Sequence, residues 1–235
     1  MHFLGDIHGD FYVIEKFCRK NEEKKHINLI QIGDFGAGFG ANSDFIQVMD
    51  YLNTILAEFN VTLYVMRGNH DDPQYFDGGY NFWSNLKFMK DYSVLELEGK
   101  RVLLIGGAIS IDRLARTEGV SYWKDEVYVL DEEKLKTIYN IDIVVTHNSP
   151  HFCQPRGFNN LVYSFASGDP DLLGDLTYER NLLTQTYALL KKNGNPMSKW
   201  FYGHFHHNHT EMYEDTEFNL LTINKFYELE NESGN

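Results

Sequence analysis

Cysteine is nearly absent from this 235-residue sequence: there are two, Cys18 and Cys153, with no C-x-x-C spacing. That excludes a disulfide framework and leaves two reduced thiols as the expectation. Long apolar runs are also missing, and none approaches the roughly 18 residues that a membrane-spanning helix needs. The opening "MHFLGD" has no basic leader region, so no secretory signal is expected and the chain reads as cytoplasmic. Basic residues are scarce, 21 Lys and Arg against 34 Asp and Glu, for a net charge of −13. Long nucleic acids demand clustered cations, so neither they nor a membrane are expected partners. Internal repeats, low-complexity linkers and composition breaks are lacking too, and residues 1–235 read as one domain.

What is present is an alternation of short apolar runs with amphipathic stretches. "HFLGD", "INLIQIGDFG" and "VTLYVMRGNHDD" read as strands. "FYVIEKFCRK" and "SDFIQVMDYLNTILAEF" between them read as helices, the second with Ser43 as its N-cap. Next comes a hairpin around Glu98-Gly99-Lys100, then the short helix "DEEKLKTIY" capped by Asp131, then the strand "IDIVVTH". Residues 148–170 read as a loop, "DLTYERNLLTQTYALLKK" as a helix, "KWFYGHFHH" as a strand, and the closing segment as a hairpin. A β-α-β-α-β first half followed by a hairpin-rich second half implies packed sheets with helices outside.

Five of the apolar runs end alike, in Gly-Asp-Ile-His, Gly-Asp-Phe-Gly, Gly-Asn-His-Asp, His-Asn and Gly-His-Phe-His. Ligands of α/β proteins gather beyond the carboxyl ends of the strands. If the five strands share a sheet and a direction, Asp6, His8, Asp34, Asn69, His70, His147, His204 and His206 converge. A lone Gly-Asp is usually a turn, and a lone His147 usually a packed imidazole. Five such ends in one chain are better explained by a divalent metal site of oxygen and nitrogen donors. Seven donors (Asp6, His8, Asp34, Asn69, His147, His204 and His206) exceed what one ion uses and imply two, with Asp34 placed in sequence to bridge. An acidic surface then does not exclude an anionic substrate, because bound cations reverse the local field.

In this order, "GDIHGD", "GDFG", "RGNHDD", "THNSP" and "GHFHH" resemble the calcineurin-like metallophosphoesterases. That superfamily includes phosphoprotein phosphatases, purple acid phosphatases, cyclic-nucleotide phosphodiesterases and nucleases. The resemblance spans Gly5 to His206. It implies an α/β fold, a four-layer α/β/β/α sandwich of two mixed β-sheets with the dimetal site at the strand ends. It also implies two transition-metal ions, Mn or Fe first and Zn or Ni next, the first held by Asp6, His8 and His206 and the second by Asn69, His147 and His204. Asp34 would bridge them, a bridging hydroxide would attack phosphorus, and His70 would donate a proton to the leaving oxygen. The expected activity is hydrolysis of phosphomonoesters on a small molecule or a phosphoprotein. A small-diester phosphodiesterase is the alternative, and a non-catalytic scaffold is a third reading.

One departure is visible. Phosphoprotein phosphatases write the second block Gly-Asp-x-x-Asp-Arg-Gly, whereas Ala37 and Gly38 stand here where that Asp and Arg would be. A partner for His70 is then sought in Asp71, Asp72 or Asp112, and a phosphate contact in Arg113, Arg116 or Arg156. Arg67 is expected to be structural. The segment "GGAISIDRLAR" with "SYWKDE" is similar to a bacterial and phage subgroup of the superfamily. His151, His207 and His209 are expected to be bystanders, and Tyr75, Phe76, Tyr80, Phe82 and Trp83 to pack in the core. By strand alternation His204 and His206, two apart, would share a face if the strand continues past Gly203, with His207 and His209 on the other.

Overall fold

The computed structural model of the chain describes residues 1–22, 25–40 and 44–229. The first sheet contains β1 (His2–Leu4), β2 (Ile27–Gln31), β3 (Val61–Val65) and β4 (Leu86–Phe88), all parallel. The second sheet begins with the antiparallel pair β5 (Ser93–Leu97) and β6 (Lys100–Ile105), which is the expected hairpin. It continues through β7 (Ile143–Thr146) and β8 (Lys199–Tyr202), parallel to β6. β9 (His209–Tyr213) and β10 (Thr216–Leu220) close its far edge, and β11 (Phe226–Glu228) returns antiparallel to β1 in the first sheet. β4 and the return of β11 to the first sheet were not foreseen.

Three apolar clusters show how the layers stack. α1 (Tyr12–Lys20) and α2 (Phe45–Glu58) cover the outer face of the first sheet, burying Ile14, Phe17, Met49 and Leu52 against Leu29, Leu63 and Val65. α3 (Glu132–Leu135) and α5 (Leu172–Lys192) cover the outer face of the second, with Leu135, Leu183 and Leu190 against Val144 and Trp200. Between the sheets lie Phe3, Ile30 and Ile32 from one and Val102, Val145 and Phe201 from the other. The result is helix, sheet, sheet, helix. β2 and β7, covered on both faces, are buried at every residue, and so read as continuous apolar runs.

The five strand ends that carry candidate ligands therefore do not belong to one sheet, as the simplest reading required. β1, β2 and β3 lie in one sheet, β7 and β8 in the other. They converge because the sheets are face to face and in step. Phe3 on β1 stacks on Phe201 on β8 with ring centroids 3.9 Å apart, which sets the carboxyl ends of the two strands side by side.

Two further expectations change. α3 is shorter than its segment, although Asp131 does cap it by accepting from the Lys134 amide. Residues 148–170 are not wholly loop, since α4 (Asn160–Ala166) forms there with the Asn159 side chain accepting from the Val162 amide. The proposed cap at Ser43 lies outside the described residues. Phe76 and Trp83 are core, with Tyr75 and Tyr80 packed against it, but Phe82 is exposed. Among the described residues no helix is long and apolar enough to cross a membrane.

Candidate metal centre

At the seam between the sheets the donor atoms form two overlapping groups. Asp6, His8, Asp34 and His206 make one, and Asp34, His147 and His204 the other, each with its donor atoms within 4.8 Å of one another. Asp34 belongs to both. Its Oδ2 is 3.8 Å from His8 Nε2 and its Oδ1 is 3.1 Å from His147 Nε2. Asp6 Oδ2 is 3.3 Å from His206 Nε2, and the Nε2 atoms of His8 and His206 are 3.0 Å apart.

Local backbone explains why each block has the residues it has. His8, Asp34, His204 and His206 all adopt positive φ, between 46° and 68°. Such conformations are costly for non-glycine residues and persist where the surroundings hold them, most often at functional sites. The glycines serve close approach. A Cβ on Gly68 would meet Asp34 Oδ1 at 2.2 Å, and one on Gly203 would meet Asp6 Oδ1 at 2.2 Å. β8 ends at Tyr202, so strand alternation is not what aligns His204 with His206. Two left-handed residues turn both imidazoles to the site instead. His207 is exposed at the cavity rim, its Nδ1 3.1 Å from the Phe205 carbonyl, and His151 is exposed.

The donors are oriented from behind. His147 Nδ1 is 3.0 Å from the Ile32 carbonyl, so Nδ1 carries the proton and Nε2 faces inward. Asn69 Nδ2 donates to Ser110 Oγ at 3.0 Å, leaving Oδ1 3.3 Å from His147 Nε2. Asp34 also accepts from the His70 amide at 2.8 Å. Burial opposes charge on Asp34, yet the imidazoles of His147 and His70 hold its carboxyl well below the ordinary range. Burial lowers His147, but the Asp34 carboxylate outweighs it and carries the imidazole up to about 10. Burial and the charge of His147 hold His204 well below its usual value. Two carboxylates, an amide oxygen and four imidazoles this close together, with no thiolate, fit a pair of hard-to-borderline divalent ions.

His70 has none of the expected carboxylate partners. Asp71 is buried and accepts from the amides of Phe35, Gly36, Ala37 and Gly68, tying the second and third blocks together. Asp72 caps the short 3-10 turn Pro73–Phe76. His70 Nε2 instead lies 2.7 Å from Arg116 Nη2. A guanidinium can only donate, so this Nε2 accepts. Asp112 reaches His70 only through Arg116, pairing with its Nε at 2.7 Å. Burial, opposed by Asp34 and reinforced by Arg116, lowers His70 to about 4. Phe39, from the glycine-rich loop, stacks on the imidazole with centroids 4.7 Å apart.

Of the three arginines considered for phosphate, Arg116 and Arg156 line the cavity that opens on the site. Arg156 is paired with Glu211. Arg113 is held by Asp169 at 2.6 Å and Asp175 at 2.7 Å and does not line that cavity. Arg67 is structural, bonded to Asp91 and to the carbonyls of Asp125, Glu126 and Val127.

Ser110 and Phe39 carried no sequence signal, but Glu179 and Arg180 did. The buried stripe of α5 runs Leu172, Leu176, Glu179, Arg180, Leu183, Tyr187, Leu190, so two charged residues occupy core-facing positions of an amphipathic helix. Glu179 accepts from the Ile109 and Tyr128 amides and from Asn148. Arg180 donates to the carbonyls of Ser149, Pro150, Cys153 and Pro155.

Residues 2–208 match the family model for calcineurin-like phosphoesterases. The catalytic subunit of serine/threonine-protein phosphatase 6 from Drosophila melanogaster is 28% identical over 120 residues, 45% of this chain and 38% of that protein. The chain thus spans about two fifths of that relative's length. Among solved structures, GAP50, the anchor in the inner membrane complex of Plasmodium, aligns with a TM-score of 0.49 at 13% identity, covering 95% of this chain and 72% of that one. A candidate 5'-nucleotidase from Staphylococcus aureus gives 0.48 at 13% identity, covering 95% and 48%. On the family model, the chain belongs to the calcineurin-like phosphoesterase family.

Proposed function

We propose that the chain hydrolyses phosphomonoesters, with Asp6, His8, Asp34 and His206 holding one divalent ion and Asp34, Asn69, His147 and His204 the other. The observation that carries this reading is the pair of donor groups sharing Asp34, opening on a cavity that also holds His70 and Arg116. Two bound cations lower the pKa of water and neutralise charge on phosphoryl oxygens. Mn or Fe suits the donor set best. The buried free thiols Cys18 and Cys153 favour a cytoplasmic setting.

Arg116 is the primary phosphate contact in this reading, and Arg156 a second. His70 is the proton donor to the departing oxygen. In the resting arrangement it is neutral and accepts from Arg116, so it is not ready to donate through Nε2. A bound dianionic ester would change both conditions. Its charge favours the imidazolium, and it draws the guanidinium off Nε2 toward phosphate.

The test compares p-nitrophenyl phosphate with bis-p-nitrophenyl phosphate on Mn-loaded protein, alongside His70→Asn. Monoester preference is expected, with turnover of the variant reduced about 10²- to 10⁴-fold and its metal content unchanged. Strong diester preference would overturn the monoester reading, and full turnover by the variant would overturn the role of His70.

A further inference from the structure

The cavity that opens on the metal centre has a volume of about 640 Å³, in the range that encloses a whole small-molecule ligand, roughly 300–1,000 Å³. A phosphoryl group fills only a small part of it. Beyond Asp34, His70 and Arg116 the lining turns apolar, with Ile111, Phe158, Val162, Phe165 and Leu176. These five belong to one packed cluster at the N-terminal end of α5. We propose that this apolar half receives the alcohol portion of the substrate, so that the chain acts on small monoesters of uncharged, apolar or aryl alcohols. The proposal rests on the monoester reading above.

Three observations carry it. The apolar wall is continuous with the reaction site, and His70, the proposed proton donor, lines the same cavity. Hydrolysis adds the oxygen of water to phosphorus, breaks the bond from phosphorus to the alcohol oxygen, and returns one proton to that oxygen. The freed alcohol is therefore the group beside His70.

The wall is also fixed in place. Arg180, 5% exposed, holds the carbonyls of Ser149, Pro150, Cys153 and Pro155, which leads the chain into Phe158 and the Asn159 cap of α4. Its guanidinium lies 5.4 Å from the Phe205 ring centroid. That geometry commits Arg180 to building the wall, although it too lines the cavity.

Finally, the charges around the cavity disfavour a cationic alcohol, and its arginines are already engaged: Arg116 with Asp112 and His70, Arg156 with Glu211, and Arg180 with four carbonyls. The lining carboxylates are Asp34, in the metal centre, and Asp112, paired with Arg116. A cationic alcohol would find no free counter-charge among them. A folded phosphoprotein, presenting its ester on a convex surface, would leave the apolar wall unfilled.

Calorimetric titration of metal-loaded protein with non-hydrolysable phosphonates tests this without turnover. From methyl- to butylphosphonate, affinity is expected to rise about fourfold for each buried methylene, and phenylphosphonate should bind at least as well as butyl. Leu161→Asp, at a rim side chain 56% exposed and therefore safe for folding, should weaken butyl- and phenylphosphonate at least tenfold. Val162→Asn should do the same from deeper in the wall.

Equal affinity for methyl- and butylphosphonate would overturn the apolar subsite and leave the monoester reading intact. So would tighter binding of a phosphoserine peptide than of phenylphosphonate. Failure to bind any phosphonate, together with no turnover of p-nitrophenyl phosphate, would overturn both.

Discussion

The wall that carries Asp34, His204 and His206 and the wall that carries Phe158, Val162 and Phe165 face the same cavity, yet they are built by different means. The polar wall consists of short blocks at strand ends, with ligands in left-handed backbone and glycines where ligands pack against the chain. The apolar wall has no such blocks. It follows a loop with one short helix, and its shape depends on two buried charged residues of α5 that anchor backbone 25–70 positions away. The first wall can hold its chemistry only if its residues are unchanged. The second can vary with the alcohol it accepts, provided its anchors remain.

The largest expected effect lies in the polar wall. Asp34→Asn halves the shared carboxylate's donor capacity and removes the charge that holds His147. We expect at least a 10³-fold loss of turnover and loss of one or both ions by elemental analysis. His207→Ala, one position past a ligand, should leave the metal content unchanged. If Asp34→Asn retains two ions, the shared role of Asp34 is wrong and the contrast between the walls loses its sharper side.

Arg180→Met comes next and strikes the apolar wall alone. It leaves four carbonyls without their donor, a cost of about 3 kcal/mol by analogy with other buried polar losses, readable as a lower denaturation midpoint. Metal content should stay at the wild-type level, and KM for an aryl phosphate should rise more than kcat falls. Equal losses in both would show that the apolar wall also sets the geometry of the chemistry.

The smallest effect separates stability from function. Glu126 is buried, with one carboxyl oxygen accepting from the Ser110 amide and the other lacking a partner. Burial raises its pKa from 4.5 to about 7. The folded state then binds a proton more tightly than the unfolded chain, so this contribution is complete below about pH 4.5 and is lost as pH rises through 7. Glu126→Gln, which cannot titrate, should flatten the fall in stability between those limits by up to about 3 kcal/mol. Urea denaturation at several pH values reads this directly, and an unchanged slope would place the titration elsewhere.

Much of the polar wall was legible because its information is local. Four of the five blocks place a glycine directly before a candidate ligand, and all five follow an apolar run that reads as a strand. The hairpin at Gly99 and the Asp131 cap were legible for the same reason. The two-sheet arrangement was not readable from the strands themselves, since the step between β1 and β8 is set by Phe3 on Phe201, nearly two hundred residues apart. The alignment of His204 and His206 was expected from strand alternation and is achieved by two left-handed residues. The His70 partner was sought among carboxylates, and proves to be Arg116, from a loop 46 positions away.

By itself, then, the sequence determined the order of most elements and the donor types at five strand ends, with no thiolate among those donors. These follow from periodicity, from glycine next to a ligand, and from composition. Tertiary structure alone decided that two sheets meet at the site, that Arg116 rather than a carboxylate contacts His70, and that Glu179 and Arg180 shape an apolar half. Those contacts join residues far apart in the chain. Their pairing is fixed by how buried faces fit and by the need of every buried charge and carbonyl for a partner, and no local pattern records that.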